Sequence, residues 1–198
     1  MVIKMPKIHS GFTNEVKDIL RRNGVGVVPT DTIYGISAPA LSEQAVMRIY
    51  KIRERDLKKP MIILISSLAD LSKFGIRPAG ITRKILKDNW PAKISVILPC
   101  SARKFFYLHR GTKALAFRMP KNAKLRDLIR EVGPLVSTSV NYEGKPPAKN
   151  IGEARKYFGD RMDFYVDAGE LDSAPSTLIA VKRGRISVLR QGAVELRA

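Results

Sequence analysis

Short apolar, β-branched runs alternate along this chain with stretches whose apolar residues recur every three or four positions, and that alternation leaves few architectures open besides a sheet layered with helices. Thr13 is placed to cap a helix whose apolar face is Val16, Ile19 and Leu20 and which stops at Asn23-Gly24. Ser42 is placed to cap a second, with Val46, Ile49, Tyr50 and Ile52 facing inward and a basic last turn. Strands are predicted over residues 61–65, 94–98, 114–118, 135–140, 164–166, 177–181 and 186–189, and further helices over 82–88, 125–132 and 153–158. Residues 141–150 read as a long irregular loop. At 198 residues, 44% of them hydrophobic, with no internal repeat or low-complexity linker, the chain suits one α/β domain around one substantial core.

Within this pattern the run Val25 to Val28 stops at Pro29 and is followed by Thr30-Asp31-Thr32-Ile33-Tyr34-Gly35. A β-branched run ended by proline and then by hydroxyl, carboxylate and glycine residues reads as a buried strand opening into a polar loop. Such a loop is where a site is expected.

Charge narrows the function classes. Lys and Arg number 36 against 18 for Asp and Glu, a formal +18 that exceeds what solubility needs and suits a polyanionic partner, nucleic acid or nucleotide. A basic proteome or a high growth temperature spreads such residues over every solvated face instead. Clusters at residues 48–59, 103–104 and 182–185, with no long basic tail, favour a folded basic surface. The longest apolar stretches, such as 61–65, fall far short of a membrane span, and the first seven residues hold no block of signal-peptide length, so a cytoplasmic location without membrane attachment is expected. Cys100 is the single cysteine, and His9 and His109 are the only histidines, so neither a disulfide nor a thiolate or imidazole zinc site is expected. Any metal would be a hard ion held by oxygens and substrate phosphates. Both histidines are expected at the surface. Gly24-Val25-Gly26 meets Pro29 where a dinucleotide fingerprint needs its third glycine, and no glycine-rich loop ends in Gly-Lys-Ser/Thr. ATP, if bound, is bound by another design.

Six stretches, taken in order, are Pro29-Thr30-Asp31-Thr32-Ile33-Tyr34-Gly35, Trp90-Pro91, Phe117-Arg118-Met119-Pro120, Ser137-Thr138-Ser139-Val140-Asn141, Ser176-Thr177 and Leu189-Arg190-Gln191-Gly192. In order and spacing the chain resembles the YrdC-like threonylcarbamoyl-AMP synthases. The resemblance implies a single-domain α/β fold, a twisted mixed sheet with flanking helices, over residues 10–195, with 1–9 as an N-terminal extension and no additional C-terminal domain. It implies a nucleotidyltransferase that makes threonylcarbamoyl-AMP and pyrophosphate from L-threonine, bicarbonate or CO2, and ATP, for tRNA threonylcarbamoyladenosine biosynthesis. Mg2+ would bind through the phosphates. The partners implied are RNA or tRNA and the machinery that transfers the threonylcarbamoyl group to tRNA.

Residue by residue, the resemblance puts Thr30 and Arg118 on threonine, with the guanidinium of Arg118 on its carboxylate. It puts Arg55, Lys59, Ser137, Ser139 and Arg190 on ATP, and it makes Arg53, Arg55, Ser139 and Asn141 the catalytic set. Ser139 and Asn141, two apart at a strand end, are expected to project together. Several positions depart from the pattern. The family's Lys-x-Arg pair, counted back without a gap from Pro60, falls on Arg53-Glu54-Arg55, so arginine stands where the family has lysine; a frame shifted by two recovers Lys51-Ile52-Arg53 but needs an insertion before Pro60 and breaks the match through Val46-Met47-Arg48-Ile49. Arginine keeps the charge but is larger and planar. Pro147 and Lys149 stand where serine and threonine are frequent, with Lys145 or Lys149 as alternative phosphate contacts, and Ala92-Lys93 stands where Gly-Pro is usual. These departures keep a second class open: a YciO-type paralogue of the same fold that binds double-stranded RNA or tRNA with weak or no synthase activity.

Overall fold

The computed structural model describes residues 6–182 and 185–195. From the N-terminus the elements are β1 (Lys7–His9), α1 (Asn14–Arg21), β2 (Gly26–Pro29), β3 (Tyr34–Pro39), α2 (Glu43–Arg53), β4 (Ile62–Leu64), α3 (Gly80–Asn89), β5 (Ile94–Pro99), α4 (Phe106–His109), β6 (Ala114–Arg118), α5 (Ala123–Val132), β7 (Leu135–Ser139), α6 (Ile151–Phe158), β8 (Phe164–Val166), β9 (Thr177–Lys182) and β10 (Arg185–Arg190). Among the described residues the strands form one ten-stranded sheet in the order β1-β8-β2-β3-β7-β4-β6-β5-β9-β10. It is mixed: β8 runs parallel to β1 and β2, β4 to β6, and β5 to β9, while β2-β3, β3-β7, β4-β7, β5-β6 and β9-β10 are antiparallel.

The two capped helices form as their sequences predict. The hydroxyl of Thr13 accepts from the Val16 amide and that of Ser42 from the Ala45 amide, each satisfying one of the donors that a helix start leaves without an intrahelical partner. Because side chains alternate across each strand, the sheet sorts its apolar residues into two layers. One face buries Ile36, Ile63, Val96, Phe117 and Val136 beneath α2, α3, α4 and α6. The other packs Val28, Leu64, Leu135 and Phe164 against Val16 and Leu20 of α1 and Leu125, Leu128 and Ile129 of α5. Those two helices cover only part of their face. Over β4, β6, β5 and β9, the residues Ile62, Ala116, Ile97 and Leu178 point the same way and stay half-buried, and this uncovered stretch becomes the floor of the site.

Several expectations are corrected. Residues 1–9 do not all stand outside the domain: Lys7–His9 pair in parallel with Phe164–Val166 as the edge strand, while residues 1–5 lie outside the described residues, as do 183 and 184 of the basic cluster 182–185. Strand β3 was not predicted, since Gly35 and Pro39 break its alternation, yet antiparallel pairing on both sides enforces it. Leu68–Phe74 forms a 3-10 turn, and α4 is four residues long, too short to display a period. Both histidines are buried rather than exposed, each 4% accessible. His9 lies at the end of β1 with its ring nitrogen 3.2 Å from the Thr13 hydroxyl, and His109 packs edge-on against Phe106.

Candidate active site

Where α1 and α5 leave the sheet bare, a cavity of about 610 Å3 opens. The strand ends and loops that converge on it carry most of the predicted residues. Thr30 and Arg118 line it at one end, and Arg55, Lys59 and Arg190 line it as well, with Ser137 and Ser139 contributed by β7. Antiparallel pairing sets Gly35 opposite Ser139, and Ser37 opposite Ser137. A Cβ built on Gly35 would lie 2.3 Å from the Ser137 hydroxyl, so glycine is needed there for closeness of approach.

Arg118 is the most constrained of these residues. It ends β6, flanked by Leu64 of β4 and Ser95 of β5, and is 4% exposed. One terminal nitrogen donates to the Thr32 hydroxyl at 3.1 Å, the other lies 3.4 Å from the buried carboxylate of Asp31, and Nε has no hydrogen-bond partner among the described residues. Burial pushes the guanidinium below its ordinary pKa; Asp31 opposes the shift and the nearby Arg190 adds to it. Arginine nonetheless stays charged at any physiological pH. Asp31 in turn accepts from the Lys121 amide at 2.8 Å, which fixes it beneath the loop that follows β6.

Thr30 lines the cavity, but its hydroxyl is used inside its own turn. It donates to the Ile33 carbonyl at 2.7 Å and accepts from the Thr32 amide at 3.1 Å, with the Thr32 hydroxyl 3.0 Å away. The expectation that it bonds an amino acid directly meets a hydroxyl already occupied. Asp31 and Thr32, which the sequence reading passed over, make the direct contacts to Arg118. Both belong to the quoted motif, but their partner is 86 or more residues away and leaves no local trace.

Arg55 folds back on the turn after α2, donating to the carbonyls of Lys59 and Pro60, and burial lowers its pKa. The Lys59 ammonium pairs with the carboxylate of Glu143, which belongs to the loop after β7. Arg190 reaches in from the end of β10, donating to the Ser176 carbonyl at 2.9 Å, and burial lowers its pKa as well. The segment behind it is held tightly. Thr177 Oγ accepts from the Gly192 amide at 3.0 Å and donates to the Val194 carbonyl, and a Cβ on Gly192 would meet the Pro175 carbonyl at 2.2 Å.

Two predicted catalytic residues do not face the cavity. Arg53, the last residue of α2 and 3% exposed, stands behind β7: Nε donates to the Asn141 carbonyl at 2.8 Å, and the terminal nitrogens donate to Thr138 Oγ at 2.6 Å and Asn141 Oδ1 at 2.8 Å. Burial and the neighbouring charge of Arg55 lower its pKa to about 10. Asn141 lies just past the end of β7 and does meet Ser139, whose hydroxyl donates to its Oδ1 at 2.7 Å, but the rest of its amide is used within the wall. Lys149, an alternative phosphate contact, is paired with Asp172.

Among the described residues the cavity is thus lined by five cationic side chains, Arg55, Lys58, Lys59, Arg118 and Arg190, and by no carboxylate. A concave, partly apolar site with that balance is suited to an anion, and a polyphosphate could meet more of its cations than a single acid group could. A second cleft of about 600 Å3, lined among others by Asn23, Gln44 and Arg48, holds none of the predicted residues, and its Arg48 is already bonded twice to Asp163.

Comparison with known proteins agrees with this geometry. Residues 18–192 match the Sua5/YciO/YrdC family model, described as "Telomere recombination". The threonylcarbamoyl-AMP synthase of Cellvibrio japonicus is 30% identical over 151 residues, covering 76% of this chain and 80% of that protein. The solved structure of Sua5 from P. abyssi complexed with L-threonine superposes with a TM-score of 0.85 at 26% identity, covering 94% of this chain; the chain spans 57% of that longer protein. E. coli YciO shares the fold at a TM-score of 0.82 and 24% identity over 96% of both chains. The fold, the order of its motifs and the match over residues 18–192 make this chain a member of the Sua5/YciO/YrdC family.

Proposed function

We propose that the protein is an L-threonylcarbamoyladenylate synthase, which forms threonylcarbamoyl-AMP and pyrophosphate from L-threonine, bicarbonate or CO2, and ATP. The observation that carries this reading is the cavity lined by five cations and no carboxylate, with the buried Arg118 beside hydroxyls at one end. Its named relatives supply the reaction class.

In the first step the threonine nitrogen, as the neutral amine left once its ammonium has given a proton to solvent, bonds to the carbon of CO2 and releases a second proton to solvent, giving a carbamate. In the second, a carbamate oxygen attacks the α-phosphorus of ATP, the bond from that phosphorus to the bridging oxygen breaks, and pyrophosphate leaves with the electron pair. Both steps build negative charge, and cations already in place stabilise it without reorganising, each worth about 3 kcal/mol. Arg118 takes the threonine carboxylate. Arg55, Lys59 and Arg190 take the triphosphate and then the pyrophosphate, with Lys59 exchanging Glu143 for phosphate oxygen. Magnesium is a different matter: no group of three His, Cys, Asp or Glu able to hold a metal is present among the described residues, and the cavity lining has no carboxylate. The chain offers Mg2+ no ligand set of its own here, and no step is assigned to it. The product would pass to a transferase that acts on tRNA.

The test is pyrophosphate release by the purified chain with each substrate omitted in turn. Release that requires both L-threonine and bicarbonate supports the synthase; release independent of threonine refutes it. The +18 charge also suits a second reading, RNA binding without synthase activity. That reading requires RNA affinity that falls steeply with salt and no threonine-dependent release.

A further inference from the structure

The wall between α2 and β7 contains a chain of hydrogen bonds whose polarity can be read unambiguously. Arg53 has only donors, so each of its three partners must present an oxygen. The Asn141 side chain therefore turns Oδ1 towards Arg53, at 2.8 Å, and Nδ2 towards the Lys145 carbonyl. The Ser139 hydroxyl lies 2.7 Å from the same Oδ1, which can only accept, so Ser139 must donate to it. Its one hydrogen is thereby committed inside the wall. Ser139 also lines the cavity, and what it offers there is its acceptor lone pairs. A serine with that polarity repels a phosphate oxygen and receives an N–H.

We infer that Arg53 is a positioning residue that touches no ligand: by bonding both oxygens of Asn141 it fixes that amide, and through it turns Ser139 into a hydrogen-bond acceptor for an N–H of the substrate. Resting on the synthase reading, that N–H belongs to the nitrogen of threonine and of its carbamate. The surrounding charge agrees. Among the described residues five cations line the cavity, and even with Arg118 paired to Asp31 and Lys59 to Glu143 the balance is positive, which disfavours an ammonium but tolerates the N–H of an anionic carbamate. The planar fork of arginine explains the departure from lysine at this position. A single ammonium is a compact point charge and cannot reproduce the fixed fork that holds Nε on the Asn141 carbonyl, 2.8 Å, with terminal nitrogens on Thr138 Oγ and Asn141 Oδ1. Arg53→Lys should therefore impair the site rather than restore it.

The test is a double-mutant cycle read by calorimetric titration of the full chain with L-threonine in bicarbonate buffer, and separately with ATP. Ser139→Ala loses roughly 2- to 12-fold in threonine affinity, the worth of one hydrogen bond, and leaves ATP affinity unchanged. Arg53→Lys loses the same, and on the Ser139→Ala background it loses nothing more. Losses that add, a loss confined to ATP, or wild-type threonine affinity in Arg53→Lys each overturn the proposal. Thr138→Val, which keeps both bonds to Asn141, retains threonine affinity and guards against a general packing effect. A ligand-free readout separates this proposal from the function it rests on. By NMR the side-chain amide hydrogens of Asn141 exchange slowly in the wild type and faster in Arg53→Lys. If the wild type binds no threonine, the synthase reading falls, and unchanged Asn141 exchange in Arg53→Lys then overturns the assignment of Arg53 independently.

Discussion

Replacing Gly192 by alanine should disarm the site from outside it. The added methyl would sit 2.2 Å from the Pro175 carbonyl oxygen, 2.5 Å from the Ser176 carbonyl carbon and 2.6 Å from the Thr177 nitrogen, all backbone atoms that no rotamer change can move. The segment must therefore lift by roughly 1 Å or more to reach ordinary contact. Lifting breaks the bonds from Gly192 to Thr177, from Thr177 to Val194, and from the Ala193 amide to the Pro175 carbonyl. Each is worth about 0.5–1.5 kcal/mol, so the strap opens locally, and since among the described residues Val194 is its one contact with the main core, most of the core's stability is kept. Arg190 precedes Gly192 by two residues, and it loses its hold on Ser176 and its place in the cavity. A charged hydrogen bond to phosphate is worth about 1.5–3 kcal/mol, so ATP affinity falls roughly 10- to 150-fold. The assay is calorimetric titration with ATP of Gly192→Ala, Arg190→Ala and the double variant. Gly192→Ala should match Arg190→Ala, and the double should be no worse than either. Wild-type affinity in Gly192→Ala, or losses that add, would mean that the strap does not place Arg190.

Three other outcomes are expected. Gly35→Ala forces the Ser137 hydroxyl aside and costs about 1–3 kcal/mol by urea denaturation, whereas the same change on a Ser137→Ala background costs little, since that oxygen is the only atom within 3.4 Å of the added Cβ. Arg118→Met leaves the Asp31 carboxylate buried without its cation and costs about 3–5 kcal/mol, much of which the additional change Asp31→Asn recovers. His9 gives a pH dependence. Burial lowers its pKa from 6.5, against a smaller opposing pull from Glu15, so between that lowered value and 6.5 the unfolded chain holds more proton than the folded one. Its contribution is fully present above pH 6.5 and is lost as the pH falls, so the urea midpoint should drop less between pH 7.5 and 5.5 in His9→Gln than in the wild type.

Local features of the chain were legible where their cause was local. Thr13 and Ser42 cap the helices their sequences announce, and β6 and β8 fall on the predicted residues because continuous apolar runs bounded by turns leave little choice. Strand β3 was hidden by its glycine and proline, and is enforced by neighbours far along the chain. At the site, the residue types and most of the lining were readable from motif order. Their hydrogen-bond states were not. Arg53 meets Asn141 across 88 residues, so sequence shows a cation at a helix end and cannot show that its donors are consumed inside a wall. Thr30 illustrates the converse, since its hydroxyl is satisfied three residues away by a turn the local sequence allows. The histidines were misplaced because edge-strand pairing and the packing of a four-residue helix, rather than any periodicity, bury them.

The central claim is a connectivity of atoms: bicarbonate carbon joined to threonine nitrogen, and a carbamate oxygen joined to the phosphorus of AMP. Incubating the protein with 13C-bicarbonate, L-threonine and ATP and identifying the products by mass spectrometry tests it directly. A synthase gives a species that contains threonine, one labelled carbon and AMP, formed together with pyrophosphate and absent when Arg118 is replaced by lysine. A threonine adenylate without the label, or AMP and pyrophosphate formed without threonine, would contradict it.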